Sequence, residues 1–503
     1  MKKLLLAFLC SLVAASAAEK MVGIYIHTHW PYHHPYAART WTVDDWRGYL
    51  GGMKTLGYNT VLYWPLIETM PQPLTPSDRA QLDQTAQVIA LAQHELGMRF
   101  LLVLCPNIIA DDAAASQAPF AERHFFHTDL RVNPADPLAV GAMMRRREEA
   151  LRPLAGADGI VIIDSDPGGY AGSTNAEFVA LLVEHRRLFD RLRPGIELVY
   201  WMHAGWPAYG RFYATAEFKR GPEAESIEAL TLLKAANPEP WGIANNLPLA
   251  RRLGVADRVI NFRYGQIEAE PQFPLTNFWS EKAFAAGHDA APRGIIGNAQ
   301  THVVQLPNTF AFARGARDQP IGPADYRAFG EQLVSGHGAA IERAWRAFAA
   351  KTPTEMRAAA AALPADVAQL RAGPLRGLIF GDAARYVSDL KMQLAVAASY
   401  AELLAAAEAK TDLAAPLERF AADTSAWQRR TGYQNQWNWP ELKKLLATLN
   451  SPEIDAVLTP AYFAETPFGR VKEGYHRKER ETTRVLDAIN ATLARMKQNR
   501  PRP

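Results

Sequence analysis

Short runs of apolar residues alternate with longer segments of helical periodicity along the first two thirds of this 503-residue chain. The apolar runs are three to five residues long and rich in β-branched side chains, which is typical of buried strands in a parallel sheet. Strands that alternate with helices imply right-handed crossovers, and eight such units fit a closed (β/α)8 TIM barrel. The predicted strands are 22–26, 60–63, 100–104, 160–163, 198–201, 242–244, 259–262 and 295–297.

Helices are predicted between these strands, at 43–56, 77–96, 140–154, 175–193, 224–235 and 247–253, whereas the intervals after the last two strands are less regular. After about Gly322 the composition changes to Ala, Glu, Arg and Leu at helical periodicity. This change predicts a C-terminal all-helical domain, interrupted by an aromatic loop at 432–440. The predicted division is a signal peptide at 1–18, a barrel at 19–320 and a helical domain at 321–503.

The first residues have the pattern of a cleaved export signal. Lys2 and Lys3 precede an apolar stretch at 4–14, and small residues follow at 15–17. We therefore expect export to a periplasm or to the outside of the cell. After cleavage the chain retains Cys105 as its single cysteine, so no intramolecular disulfide is expected. No later apolar run reaches the roughly 18 residues that a membrane span requires.

Composition narrows the class of partner. A net charge of +3 does not indicate nucleic-acid binding. No G-x-G-x-x-G motif follows a predicted strand, so the sequence implies no dinucleotide or other cofactor. The chain has 12 Trp and 17 Tyr, and many of them lie near predicted strand ends. Aromatic rings are typical of sugar-binding sites, although they also fill protein cores. The expected partner is an oligo- or polysaccharide.

The fourth predicted strand ends on two carboxylates, Asp164 and Asp166, which a Pro-Gly-Gly turn follows. Residues i and i+2 of a strand point the same way, so these side chains are expected to project together. Two like charges this close raise one pKa, which keeps one carboxylic acid protonated for general acid catalysis. Asp166 is predicted as the acid and Asp164 as the partner that raises its pKa. Alternatively, one caps the next helix and the other binds loop amides.

Polar and aromatic residues follow the other strands, whereas the opposite strand ends are plainer. Barrel enzymes carry their chemistry at the carboxyl ends of the strands, where such side chains can meet one ligand. The predicted substrate contacts are Tyr25, His27, His29, Trp64, Asn107, Trp201, His203, Tyr264, Asn298 and Gln300.

This layout resembles the barrel glycoside hydrolases of the β-hexosaminidase and O-GlcNAc-hydrolase group, with α-glucuronidases more distant. The resemblance covers residues 21–315 and implies hydrolysis of glycosidic bonds, in glycans that contain N-acetylhexosamine or uronic acid. In the hexosaminidase group, one carboxylate after strand four is the general acid. The other orients the substrate's N-acetyl group, whose oxygen attacks the anomeric carbon. Here Ser165 separates the two carboxylates, which departs from the group's usual pairs.

Other mechanisms remain open at this stage. Glu268 or Glu270 from strand seven could act as the nucleophile of a retaining glycosidase. Carboxyl groups about 5–5.5 Å apart would favour retention and about 6.5–9.5 Å would favour inversion.

Two other classes of protein are alternatives. His27, His29 and His203 could hold zinc, as in an amidohydrolase-like metal-dependent hydrolase. Against this, Asn245 and Asn298 stand where that fold places metal ligands. The second alternative is a non-catalytic carbohydrate-binding barrel, which has no need of paired carboxylates.

Overall fold

Eight parallel strands form a closed barrel in the computed structural model of the chain. We label them β1 (Met21–Ile26), β2 (Thr60–Tyr63), β3 (Arg99–Leu104), β4 (Gly159–Ile163), β5 (Glu197–Trp201), β6 (Trp241–Ala244), β7 (Val259–Arg263) and β8 (Gly294–Ala299). The structure describes residues 20–28, 34–123, 129–164, 170, 173–202, 222–245, 247–263, 265–268, 278, 280–288, 291–350, 352–431, 440–458 and 471–498.

The strands follow each other round the barrel in chain order, and β8 closes it by pairing with β1. At this closure Tyr25 lies opposite Asn298. The topology confirms the predicted (β/α)8 barrel. Seven strands lie within one residue of their predicted bounds, and β8 extends two residues further at its carboxyl end. Since all strands are parallel, their carboxyl ends meet at one end of the barrel, which we call the barrel mouth.

A helix follows each strand along the chain. The last two of these helices fall in the intervals that the sequence pattern left irregular. In chain order the barrel helices are Val43–Leu56, Pro76–Ala90, Pro137–Leu151, Asn175–Leu192, Pro222–Ala236, Leu247–Arg252, Ser280–Gly287 and Leu306–Ala316.

Threonine caps fix where three of these helices begin. Thr42, Thr75 and Thr174 each accept the backbone N–H of the third helical residue, whose carboxylate accepts the N–H of the threonine in return. This reciprocal arrangement satisfies two N–H groups that a helix end otherwise leaves unpaired. The caps therefore set the helix starts, and with them the lengths of the loops that precede these helices.

A short hairpin after β3 was not predicted. Its strands, Ile108–Ala110 and Asp129–Arg131, pair antiparallel. Asn107 closes the hairpin, because its side-chain amide donates to the Val132 carbonyl at 2.9 Å and its own carbonyl accepts from the Val132 amide at 2.8 Å. Three-residue strands are too short to show an alternating pattern, which is why the sequence did not reveal them.

A helical region follows the barrel, as predicted. None of the helices in the described parts of the chain is long and apolar enough to cross a membrane. The region also contains one isolated bridge, between Val334 and Ala372. Its helices are Pro323–Leu333, Gly338–Ala350, Pro353–Ala362, Ala383–Glu408, Ala414–Thr431, Pro440–Ala447, Pro452–Leu458 and Val471–Gln498.

The helical region packs against the first barrel helix. The backbones of Gly48 and Gly377 approach so closely that a Cβ atom on Gly377 would overlap the Gly48 carbonyl. The Phe380 ring then contacts two aromatic side chains of the barrel, with its centroid 5.1 Å from that of Trp41 and 6.2 Å from that of Tyr49. Close backbone approach and ring packing together hold the two parts of the chain in contact.

Asp389 joins the same two parts through polar contacts. The Tyr36 hydroxyl donates to Asp389 Oδ2 at 2.6 Å, and Arg430 Nε donates to Oδ1 at 2.8 Å. Asp389 is 2% exposed and Tyr36 is 1% exposed, so these bonds are shielded from water. Burial and the nearby Asp389 raise the pKa of Tyr36 well above its usual value, so its hydroxyl remains a donor at every physiological pH.

We expect Asp389→Ala to lower the free energy of unfolding by about 3 kcal/mol, because it removes a charged acceptor from a buried site. The matched control is Glu418→Ala, which breaks the exposed pair with Lys497 and should cost less than about 1 kcal/mol. Urea unfolding followed by circular dichroism measures both changes. Equal losses in the two variants would contradict the assignment.

Candidate active site

Three aromatic rings fill the barrel just below its mouth. Tyr25 of β1, Trp201 of β5 and Phe262 of β7 meet near the barrel axis. The ring centroids are 5.4 Å apart for Tyr25 and Trp201, and 3.7 Å apart for Trp201 and Phe262. Tyr25 is fully buried and Trp201 is 3% exposed. Side chains from alternate strands form such layers inside TIM barrels, so these rings form a layer of the barrel core.

His27 and Trp64 lie next to this layer on the mouth side. The His27 ring centroid is 4.9 Å from that of Tyr25 and 6.0 Å from that of Trp64. Burial, and secondly the nearby His302, lowers the pKa of His27 well below its usual value. Burial also lowers the pKa of His302 to about 3, against the opposing effect of a hydrogen bond to the His27 backbone. Both imidazoles are therefore uncharged at neutral pH.

A buried glutamate, Glu68, links the end of β2 to the end of β3. Its Oε2 accepts from Trp64 Nε1 at 3.2 Å, and its Oε1 accepts from the Cys105 amide at 2.6 Å. Burial raises the pKa of Glu68, and the nearby Arg147 and the hydrogen bonds oppose that rise. Glu68 follows strand two in the sequence but was not among the predicted contacts. Its position after a strand is the signal that could have identified it.

Asp164 lies directly after β4, as predicted, and is 1% exposed. Its amide donates to the Trp201 carbonyl at 3.1 Å, and its Oδ2 accepts from the Tyr200 hydroxyl at 3.3 Å. Tyr200 is on the outer face of β5, because it alternates with the inward-facing Trp201 and its ring contacts Phe178 of the following helix at 5.7 Å. The Asp164 carboxylate therefore lies on the helix side of the strand end and is held there by Tyr200.

The end of β8 contributes Asn298 and Gln300, which are both buried. Asn298 pairs with Tyr25 across the closure of the barrel and so faces the same way as the aromatic layer. Its side-chain amide donates to the Glu268 carbonyl at 2.7 Å. The backbone amide of Gln300 donates to the Glu268 carboxylate at 2.6 Å. Glu268, after β7, thus contacts both residues.

The structure accordingly brings most of the described predicted contacts to the barrel mouth or to the core layer just below it. All of them are buried, and none is more than 5% exposed. Asn107 differs from the others because its side chain closes the hairpin. The described contacts are Tyr25, His27, Trp64, Asn107, Trp201, Asn298 and Gln300. Outside the described residues lie the predicted acid Asp166, the contacts His29, His203 and Tyr264, and the alternative nucleophile Glu270.

Within the described parts of the chain, no group of three His, Cys, Asp or Glu side chains is arranged to hold a metal ion. Of the three histidines considered as zinc ligands, only His27 is described, and its neighbours are aromatic rings and His302. No protein-family model matches the chain, and no curated protein is significantly similar to it.

Several of the solved structures similar to this chain are glycoside hydrolases. A family 89 glycoside hydrolase from Clostridium perfringens, in complex with 2-acetamido-1,2-dideoxynojirmycin, superposes with a TM-score of 0.52 at 11% identity, covering 96% of this chain and 64% of that one. The same enzyme in complex with its substrate GlcNAc-alpha-1,4-galactose gives a TM-score of 0.50, also at 11% identity and with the same coverage. A GH138 enzyme targeting pectin rhamnogalacturonan II gives 0.47 at 11% identity, covering 96% of this chain and 69% of that one.

The superposition on the family 89 enzyme supports the class of fold, a TIM barrel. This chain spans about two thirds of that enzyme's length. At 11% identity the likeness is one of fold, and chemistry has to be argued from the residues of this chain.

Trp201→Ala should lower the free energy of unfolding by about 3–5 kcal/mol, because it removes a ring packed against Tyr25 and Phe262. Trp201→Phe keeps part of the packing and should cost less. Chemical denaturation of both variants measures the difference. A Trp201→Ala protein as stable as the wild type would show that the ring is not part of the core.

The stability of the protein should depend on the charge of Glu268. Burial raises its pKa from 4.5 to about 7, against the opposing hydrogen bonds from Thr301 and Gln300. A folded-state pKa above the unfolded value means that its contribution is fully present below pH 4.5 and is lost as pH rises through 7. The unfolding free energy of the wild type, relative to Glu268→Gln, should therefore fall by roughly 3 kcal/mol over this range. Parallel denaturation series at several pH values test this, and a constant difference would contradict it.

Proposed function

We propose that this chain is an exported glycoside hydrolase that uses Asp166 and Asp164 at the end of β4. The observation that carries the proposal is the composition of the barrel mouth. Aromatic rings, the uncharged His27 imidazole and amide side chains lie at the mouth or just below it, and a buried carboxylate follows β4 directly. Ring faces suit the C–H faces of a sugar, and amides suit its hydroxyl groups. The shared fold with a family 89 glycoside hydrolase supports this class of reaction.

In the proposed reaction Asp166 donates a proton to the glycosidic oxygen as the bond to the anomeric carbon breaks. Asp164 is proposed as the partner that raises the pKa of this acid, and Tyr200 and the β5 backbone hold it at the end of β4. Either an oxygen of the substrate's own N-acetyl group or an activated water would then attack the anomeric carbon. Aromatic and amide groups at the mouth would orient the ring.

We propose N-acetylhexosamine-containing glycans as the substrate class, ahead of glycans that contain uronic acid. The family 89 enzyme, which has this fold, acts on GlcNAc-alpha-1,4-galactose. Two buried arginines in the loops after β1 and β3 form hydrogen bonds and an ion pair within the chain. Arg39 donates to the Thr28 and Phe120 carbonyls, and Arg123 pairs with the buried Asp78 at 2.7 Å. These bonds leave the two arginines fewer N–H donors for a uronate carboxylate. Export is proposed from residues 1–18, which lie outside the described part of the chain.

Asp166→Asn should reduce kcat on a natural glycoside by about 10²–10⁴-fold, because general acid catalysis contributes that much. The loss should be smaller on an aryl glycoside with a good leaving group, which needs little protonation. Asp83→Asn is the matched control, since this residue is exposed on the helix after β2 and should leave kcat unchanged. Turnover of natural glycoside by Asp166→Asn at the wild-type rate would contradict the assignment.

The same assay separates the alternative classes. Loss of activity in EDTA, restored by Zn²⁺, would identify a metal-dependent hydrolase instead. Sugar binding by calorimetry without any turnover would identify a carbohydrate-binding barrel.

A further inference from the structure

The Glu268 carboxylate is saturated with hydrogen bonds from the end of β8. Its Oε2 accepts from the backbone amides of Gln300 and Thr301, each at 2.6 Å. Its Oε1 accepts from the Thr301 hydroxyl, also at 2.6 Å. The side chain of Gln305 is a further hydrogen-bond neighbour. Glu268 itself is 4% exposed, so the carboxylate is enclosed by groups of this chain.

The backbone of Glu268 is fixed to the same strand end. Its amide donates to the Asn298 carbonyl at 3.1 Å, and its carbonyl accepts from the Asn298 side chain at 2.7 Å. Both the main chain and the side chain of one residue thus hold positions 298–301. We call Glu268, Asn298, Gln300 and Thr301 the Glu268 cluster.

A nucleophilic carboxylate has to bring one oxygen to the anomeric carbon, with the reacting atoms about 3–3.5 Å apart. Both oxygens of Glu268 already accept hydrogens from Gln300 and Thr301. An attack by either oxygen would break these bonds and leave buried donors without an acceptor, which is costly. The geometry suits a carboxylate that holds neighbouring groups in place.

We propose that Glu268 is a positioning residue, which holds Asn298 and Gln300 at the barrel mouth for substrate binding and does not attack the substrate. The proposal rests on the glycoside hydrolase function for its effect on substrate. The hydrogen-bond cluster itself can be tested without that function. The position of Glu268 after β7 had suggested a nucleophile, and its hydrogen bonds assign it this other role.

The kinetic test uses Glu268→Gln, Glu268→Ala and Thr301→Val with a p-nitrophenyl N-acetylhexosaminide. We expect KM to rise by roughly tenfold in Glu268→Gln and Thr301→Val, as for the loss of one hydrogen bond, with kcat within about threefold of wild type. Thr309→Val is the matched control, because Thr309 is a buried threonine whose hydroxyl has no hydrogen-bond partner among the described residues. Its kinetics should match those of the wild type.

Azide distinguishes positioning from nucleophilic catalysis in Glu268→Ala. If Glu268 were the nucleophile, azide would take its place, forming a C–N bond at the anomeric carbon as nitrophenolate leaves and giving a glycosyl azide. We expect no rescue of kcat and no glycosyl azide. A fall in kcat of about 10³-fold or more with unchanged KM, reversed by azide, would overturn the proposal.

Hydrogen–deuterium exchange tests the cluster independently of activity. The amides of Gln300 and Thr301 should exchange faster in Glu268→Gln than in the wild type, and at the wild-type rate in Thr309→Val. Unchanged exchange in Glu268→Gln would overturn the proposal even if the protein is an active glycosidase. A wild type that cleaves no glycoside, combined with faster exchange in the variant, would reject the proposed function and keep the cluster.

Discussion

Three aromatic rings, Tyr25, Trp201 and Phe262, contact one another at the centre of the barrel. Their contact fixes which side chains of β1, β5 and β7 face the interior. Side chains alternate along a strand, so a shift of one residue would turn every inward side chain outward. With these rings inside, His27 and Asn298 face the interior, whereas Tyr200 faces the helices. The same alternation of inward and outward side chains places the Asp164 carboxylate beside Tyr200. The aromatic layer therefore decides which residues of the strand ends can share one ligand.

Among the described residues, buried carboxylates connect neighbouring strands at three places round the barrel mouth. Glu68 joins the end of β2 to Cys105 after β3, Asp164 joins β4 to Tyr200 of β5, and Glu268 joins the loop after β7 to the end of β8. A buried carboxylate is tolerated only where donors satisfy it, so each acts as a local link between two strand ends. Such links hold neighbouring strand ends together at the mouth.

The barrel was predictable from the sequence because each strand is a run of buried apolar residues bounded by helical segments. The contents of the mouth were predictable only in part. The relation of Glu268 to Thr301 spans 33 positions and depends on how β7 and β8 are registered, which no local pattern encodes. Asp164 lies just past the last strand residue. The alternation of side chains there indicates which residues share a side of the strand, but it does not identify Tyr200 as the hydrogen-bond partner. Glu68 lies in a short turn of helix, which hides its proximity to β3.

The contact between Gly48 and Gly377 has a consequence for how this architecture can change. Each glycine leaves room for the other's backbone, so a side chain acquired at position 377 would have to be matched by a displacement of the whole first barrel helix. Tyr36 and Asp389 tie the same two parts together from a second direction. A different helical region could therefore not be joined to this barrel by simple exchange of segments. The first barrel helix and the helical region have to be inherited together.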